Sequence, residues 1–94
     1  MTYFSSIWIH DDEEYPILLV SELDDFRYEI RKIEIWRNGK IGWADKENEV
    51  NNTGLGTIEI PSLDEINLNK EFRAWEISCL DFENFWSMRN TRPK

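Results

Sequence analysis

The chain has 94 residues, enough for one domain with one core, because domains this small bury only about 60–65% of the surface their unfolded chains expose. Its longest purely apolar run, Ile17-Leu18-Leu19-Val20, falls far short of the roughly 20 residues that span a bilayer. No basic-then-apolar signal segment opens the chain, and its one cysteine, Cys79, can form no internal disulfide, so the expectation is a soluble, cytoplasmic protein.

Residues 1–26 carry seven acids and no Lys or Arg, whereas the chain from Arg27 onward has 12 acids against 11 bases, so almost all of the net charge of −8 sits on the first quarter. Such a one-signed field repels nucleic acid, whose phosphates require clustered Lys and Arg. The basic cluster available is the short tail Arg89 to Lys94. Direct binding of DNA or RNA is not expected.

Residues 3–9 alternate Tyr3, Ser5, Ile7 and Ile9 against Phe4, Ser6 and Trp8, and residues 15–20 are rich in β-formers. Both segments read as strands, and His10 with Asp11, Asp12, Glu13 and Glu14 reads as the connection of a hairpin. In residues 26–36 the apolar phase runs Phe26, Tyr28, Ile30 and then skips to Ile33 and Ile35; a gap of three in a period-two pattern predicts a bulge at Arg31-Lys32. Asn38-Gly39 is a two-residue hairpin signal, since a type I′ turn needs positive φ at both central residues. That turn pairs Trp36 with Ile41, Ile35 with Gly42, Glu34 with Trp43 and Ile33 with Ala44. One face then shows Ile33, Ile35 and Ala44, the other Trp36, Ile41 and Trp43. Either a helix covers the second face or its tryptophans form a contact patch.

Residues 48–57, NEVNNTGLGT, read as a loop, followed by a short strand at 57–60. Ser62 with Glu65 three residues later is a capping box that starts a helix near 62–68. After a strand near 72–77, Ser78 caps a second helix near 79–89, whose Cys79, Phe82, Phe85 and Trp86 form an apolar stripe that buries the thiol.

Catalytic and metal chemistry find little support in these residues. His10 and its four carboxylates are neighbours in one turn and lack the spacing and central glycine of a calcium loop, so no metal is expected. Cys79 lacks Cys or His neighbours at zinc spacing, and on an apolar stripe it reads as a small hydrophobe rather than a nucleophile. No serine sits in a Gly-x-Ser-x-Gly elbow, and TGLG at 53–56 lacks the Lys-Ser/Thr of a phosphate loop. The expectation is no enzyme and no cofactor.

Trp8-Ile9-His10, Tyr15-Pro16, Ser21-Glu22-Leu23-Asp24, Arg27 to Glu34, Gly42-Trp43-Ala44-Asp45, Ile60 to Asn67 and Phe82-Glu83 with Phe85-Trp86 together resemble the bacterial domain of unknown function 6881 family. The resemblance covers nearly the whole chain. It implies a bacterial origin and a stand-alone domain, and it brings no activity, cofactor or catalytic residue. Ser5-Ser6 depart from the larger residues expected in the first strand.

The expected architecture is a single α+β domain over 1–94, a bent antiparallel sheet of about five strands with two short helices. The expected role is a protein-binding module for a basic partner, contacted through Asp11, Asp12, Glu13, Glu14, Glu22, Asp24 and Asp25 with Trp36 and Trp43 as apolar anchors. By analogy of size and charge, the partner is a toxin domain such as a nuclease and the chain its immunity protein. The alternative is a regulatory or accessory domain.

Overall fold

The computed structural model describes residues 1–89; the basic stretch beyond Arg89 lies outside them. Six strands, β1 (Thr2–Trp8), β2 (Leu18–Leu23), β3 (Glu29–Ile35), β4 (Ile41–Ala44), β5 (Glu49–Val50) and β6 (Phe72–Glu76), form one antiparallel sheet in the order β5-β4-β3-β2-β1-β6. Two helices, α1 (Leu63–Asn67) and α2 (Cys79–Ser87), complete an α+β fold. None of the described helices is long and apolar enough to cross a membrane.

Both helices start where their caps require. The Ser62 hydroxyl accepts from the Glu65 amide and the Ser78 hydroxyl from the Asp81 amide, each satisfying one of the amides a helix start leaves open. Nine residues make a marginal helix in water, so α2 owes its stability to burial: Phe82 is fully buried against Val20 and Ile33, with Phe85 and Trp86 beside it. Burying a side chain of this size is worth roughly 1.5–3 kcal/mol. Cys79, by contrast, is exposed. It is the first residue of α2 and lies beside Tyr3 of β1, while the fully buried contact of the helix is made at Phe82, so the thiol lies on the stripe but stays open to solvent.

The β3–β4 hairpin corrects the expected register. The Trp36 amide donates to the Lys40 carbonyl and the Gly39 amide to the Trp36 carbonyl, both at 2.9 Å, which makes a three-residue loop, Arg37 to Gly39. Gly39 takes φ 89° while Asn38 stays at negative φ, so a type I turn closed by a left-handed glycine forms in place of type I′. Ile35 now faces Ile41 and Ile33 faces Trp43. A shift of one residue turns every β4 side chain over. Trp43 therefore joins Ile33, Ile35 and Ile41 under α2, and Trp36 lies on the opposite face with Gly42 and Ala44.

Two further details differ from expectation. The bulge in β3 falls at Ile30, since Glu22 pairs with Arg31 but Leu23 with Glu29. Residues 57–60 form no strand; Arg27 instead ties this segment to the sheet, accepting from the Ile60 amide and donating Nε to the Ile60 carbonyl. This segment and α1 cover the second face, where Phe4, Leu23 and Ala74 pack against Ile60, Leu63 and Ile66. The open edge of β6 is blocked by the Asn67 amide, which donates to the Ala74 carbonyl and accepts from the Ala74 amide as a neighbouring strand would.

Candidate functional site

The acidic connection between β1 and β2 is built on its backbone. The Asp12 amide donates to His10 Nδ1 at 3.0 Å, and His10 Nε2 lies 2.8 Å from the Pro16 carbonyl. A ring nitrogen that accepts and another that meets a carbonyl describe the neutral Nε2–H tautomer, and both nitrogens are used inside the turn. Asp12 Oδ1 accepts from the Glu14 amide. Two groups from the β3–β4 hairpin hold the turn from outside: Trp36 Nε1 donates to the Glu14 carbonyl at 3.0 Å and Arg37 to the His10 carbonyl at 2.7 Å. Asp11, Asp12, Glu13 and Glu14 are exposed, and none forms an ion pair among the described residues. Beside them stand Ile9 and Tyr15, each about half exposed, with Tyr15 and His10 packed around Trp8.

The remaining residues of the expected contact surface do not join this patch. Asp24 and Asp25 lie in the turn at the other end of β2, where Asp24 Oδ1 accepts from the Phe26 and Tyr28 amides. Six strand residues at about 3.3 Å each separate the two acidic turns by roughly 20 Å. Glu22 is buried and pairs with Arg31 under α2. Trp36 is buried on the face away from α2, its indole spent on the acidic turn. Trp43 packs edge-on against Trp86 with ring centres 5.4 Å apart, and the Arg89 guanidinium lies over both rings. Neither tryptophan is a free anchor.

Other candidate chemistry is equally dispersed. Cys79 follows β6 and lies beside Tyr3 at the start of β1, while His10 follows the end of that strand, so a full strand separates thiol from imidazole. Contact with Cys79, burial and the nearby Glu22 carboxylate together hold the Tyr3 proton well above the usual phenol range. Among the described residues no three His, Cys, Asp or Glu side chains converge on a point where a metal would sit.

Sequence reasoning missed the second face of the sheet. A cleft of about 470 Å³ opens there between the sheet and the 56–69 segment, walled by Phe4, Leu19, Ile60, Ile66 and Phe72. Ser6 lies in its lining, 4% exposed, with its hydroxyl unpaired among the described residues. At the far end Lys32 Nζ lies 3.0 Å from Glu29 Oε1 and donates to the Gly54 carbonyl, while Glu29 also accepts from the Gly56 amide and the Ser21 hydroxyl. In sequence Glu29 alternates with Tyr28 and Ile30, and Lys32 and Glu34 with Ile33 and Ile35, a pattern that ordinarily marks the solvent face of a strand. The legible signal was the pair of small residues at Ser5-Ser6, whose short side chains leave room on both faces.

Residues 2–91 match the family model described as Domain of unknown function (DUF6881), and the chain belongs to that family. No curated protein and no solved structure matches it.

Proposed function

We propose that this protein is a binding module that acts without catalysis, and that it meets a basic protein partner with the end of the sheet bearing Asp11, Asp12, Glu13 and Glu14. The observation that carries this reading is the division of labour in that turn. Its backbone is fixed by Trp36, Arg37 and His10, while among the described residues its four carboxylates form no ion pair and only that of Asp12 takes a bond within the turn, from the Glu14 amide. Four hydrated like charges on one turn tend to cost stability, so their use lies outside the molecule. A fixed backbone lowers the ordering cost of association, and a one-signed field speeds encounter with a cationic surface. Ile9 and Tyr15 supply adjacent apolar area. In its sharper form the partner is a basic toxin domain and the chain its immunity protein, working in the bacterial cytoplasm.

Association kinetics with a basic partner, to be sought by co-purification or in the product of a neighbouring gene, test the reading. Changing Asp12 and Glu13 to Asn and Gln should slow association several-fold and flatten its salt dependence, with a smaller effect on dissociation. Changing Asp24 and Asp25 in the same way should do much less, because that turn lies beyond the Debye length of about 8 Å at physiological ionic strength. Equal effects from the two pairs, or none from the first, would refute the assignment of the surface.

A further inference from the structure

The cleft on the second face is distinct from the acidic turn, and its chemistry points to a different kind of ligand. Its volume falls within the roughly 300–1,000 Å³ of small-molecule sites, which pair apolar walls with a few placed polar groups. Phe4, Leu19 and Phe72 from the sheet and Ile60 and Ile66 opposite provide the walls. The placed polar group is the Ser6 hydroxyl. A buried hydroxyl without a partner costs about 1–3 kcal/mol, and such groups in folded proteins are regularly met by protein, water or ligand.

Charge selects the class of ligand. Lys32 and Glu29 neutralise each other at the far end of the cleft and are tied to Gly54, Gly56 and Ser21. Glu65 adds an exposed carboxylate at the mouth, and the chain as a whole carries −8. Among the described residues lining the cleft, an entering anion would meet no free cation, and it would be repelled on approach. A cation would find its one unpaired buried contact in a hydroxyl set among apolar walls, where desolvating a charge is costly.

We propose that this cleft binds an uncharged, largely apolar small molecule, of ring or short acyl type, through a hydroxyl or carbonyl group hydrogen-bonded to Ser6. The hydroxyl of Ser6 both donates and accepts, so it can form one hydrogen bond with an alcohol in either direction or donate one to a carbonyl. The apolar body lies between Phe72 and Ile66, and Phe72 in turn stacks on Trp8 with ring centres 5.7 Å apart.

The test uses 2-naphthol, 2-naphthoate and naphthalene as probes of the full chain, followed by the amide resonances of Phe4, Ser6, Leu19, Ile66 and Phe72. Saturable shifts of these amides are expected with 2-naphthol, and at least tenfold weaker binding with 2-naphthoate. Ser6→Ala should weaken 2-naphthol about fivefold, the worth of one net hydrogen bond, and leave naphthalene unchanged. Its melting temperature should hold or rise, since an unpaired buried hydroxyl is removed. Ser6→Leu should fill the cleft and abolish binding of all three while the spectrum stays folded; if that variant unfolds, the Ser6→Ala comparison stands alone. Absence of saturable shifts with the uncharged probes means that Ser6 is met by water only and overturns the proposal. So does equal binding of naphthoate, or a Ser6→Ala variant that binds 2-naphthol as tightly as before.

Discussion

The buried carboxylate of Glu22 and the guanidinium of Arg31 face each other across β2 and β3, with Nη2 3.1 Å from Oε2 and Nε on the other oxygen. Glu83 of α2 approaches the same guanidinium from the helix side at 2.9–3.0 Å, and the rings of Phe82 and Trp86 lie against it. Arg31 thus couples helix to sheet, and its two carboxylates hold it charged, raising its affinity for its proton. Breaking a buried pair by removing one partner costs more than the pair is worth, because a desolvated charge is left behind. Glu22→Gln should therefore destabilise by about 2–3 kcal/mol, below the usual 3–5 because Glu83 remains. Glu22→Met combined with Arg31→Met should cost much less. Urea midpoints of the two variants decide; a single variant within about 0.5 kcal/mol of the parent, the range of ordinary surface changes, would refute the coupling.

Glu83 sets part of the acid limb of stability. The hydrogen bonds from Arg31 outweigh desolvation and hold its carboxyl below the usual range. Asp45 is lowered as well, chiefly by the Glu47 amide and the Asn48 side chain. A folded pKa below the unfolded one means that the unfolded chain binds the proton more tightly. The contribution is then complete above the unfolded value of about 4.3 for Glu and is lost as pH falls through the folded value. Glu83 is 45% exposed, so solvent screening limits its worth to about 0.5–1 kcal/mol. Glu83→Gln should lower stability by that amount at pH 7 and converge with the parent once pH has fallen below the lowered folded value of Glu83, where both side chains are neutral. Parallel curves down to that pH would show that the ion pair contributes nothing.

Cys79 should react readily. At the first residue of α2, the exposed thiol of the native protein should be modified by a neutral disulfide reagent within a few-fold of the rate in urea. Protection on the order of a hundredfold would mean that access requires opening of the fold and would contradict the exposed position.

What could be read from the sequence was what is local. Ser62 and Ser78 marked both helix starts because a cap needs only the next three residues, and alternation marked β1 because its two faces differ. The β3–β4 register failed because Asn-Gly serves both two- and three-residue loops, and the choice is made by packing: the longer loop brings Trp43 under α2, a contact 43 residues away in sequence at Trp86. Gly42 shows the same dependence. A Cβ there would meet Thr53 Oγ1, the Val50 carbonyl and the Trp36 ring, so its lack of a side chain is required by three residues that no local pattern places beside it. The contact surface was read as one acidic front because charge was counted along the chain, whereas a strand separates Glu14 from Asp24 in space. Glu22 sat in the same count although its phase in β2, with Val20 and Leu18, already placed it under the helix.

Trp36 connects the fold to the proposed contact surface, and its replacement separates order in the acidic turn from charge. Trp36→Phe keeps a ring in the buried site but removes the Nε1–H donor to the Glu14 carbonyl. The lost hydrogen bond is worth about 1 kcal/mol, and the smaller ring adds a packing loss, so destabilisation of about 1–3 kcal/mol is expected. The local effect is the more telling one. The Glu14 and Tyr15 amides donate to Asp12 within the turn, and both should exchange faster by more than the global loss of stability accounts for, while amides of β1 and β2 follow the global change. Against a basic partner, a turn with its charges intact but its backbone loosened should associate at the parent rate and dissociate faster, because the field is unchanged and the ordering cost now falls on the complex. Neutralising Asp12 and Glu13 should do the reverse. Hydrogen exchange and binding kinetics on the two variants make the comparison, and a Trp36→Phe protein whose Glu14 and Tyr15 amides stay as protected as in the parent would show that the indole does not hold the turn.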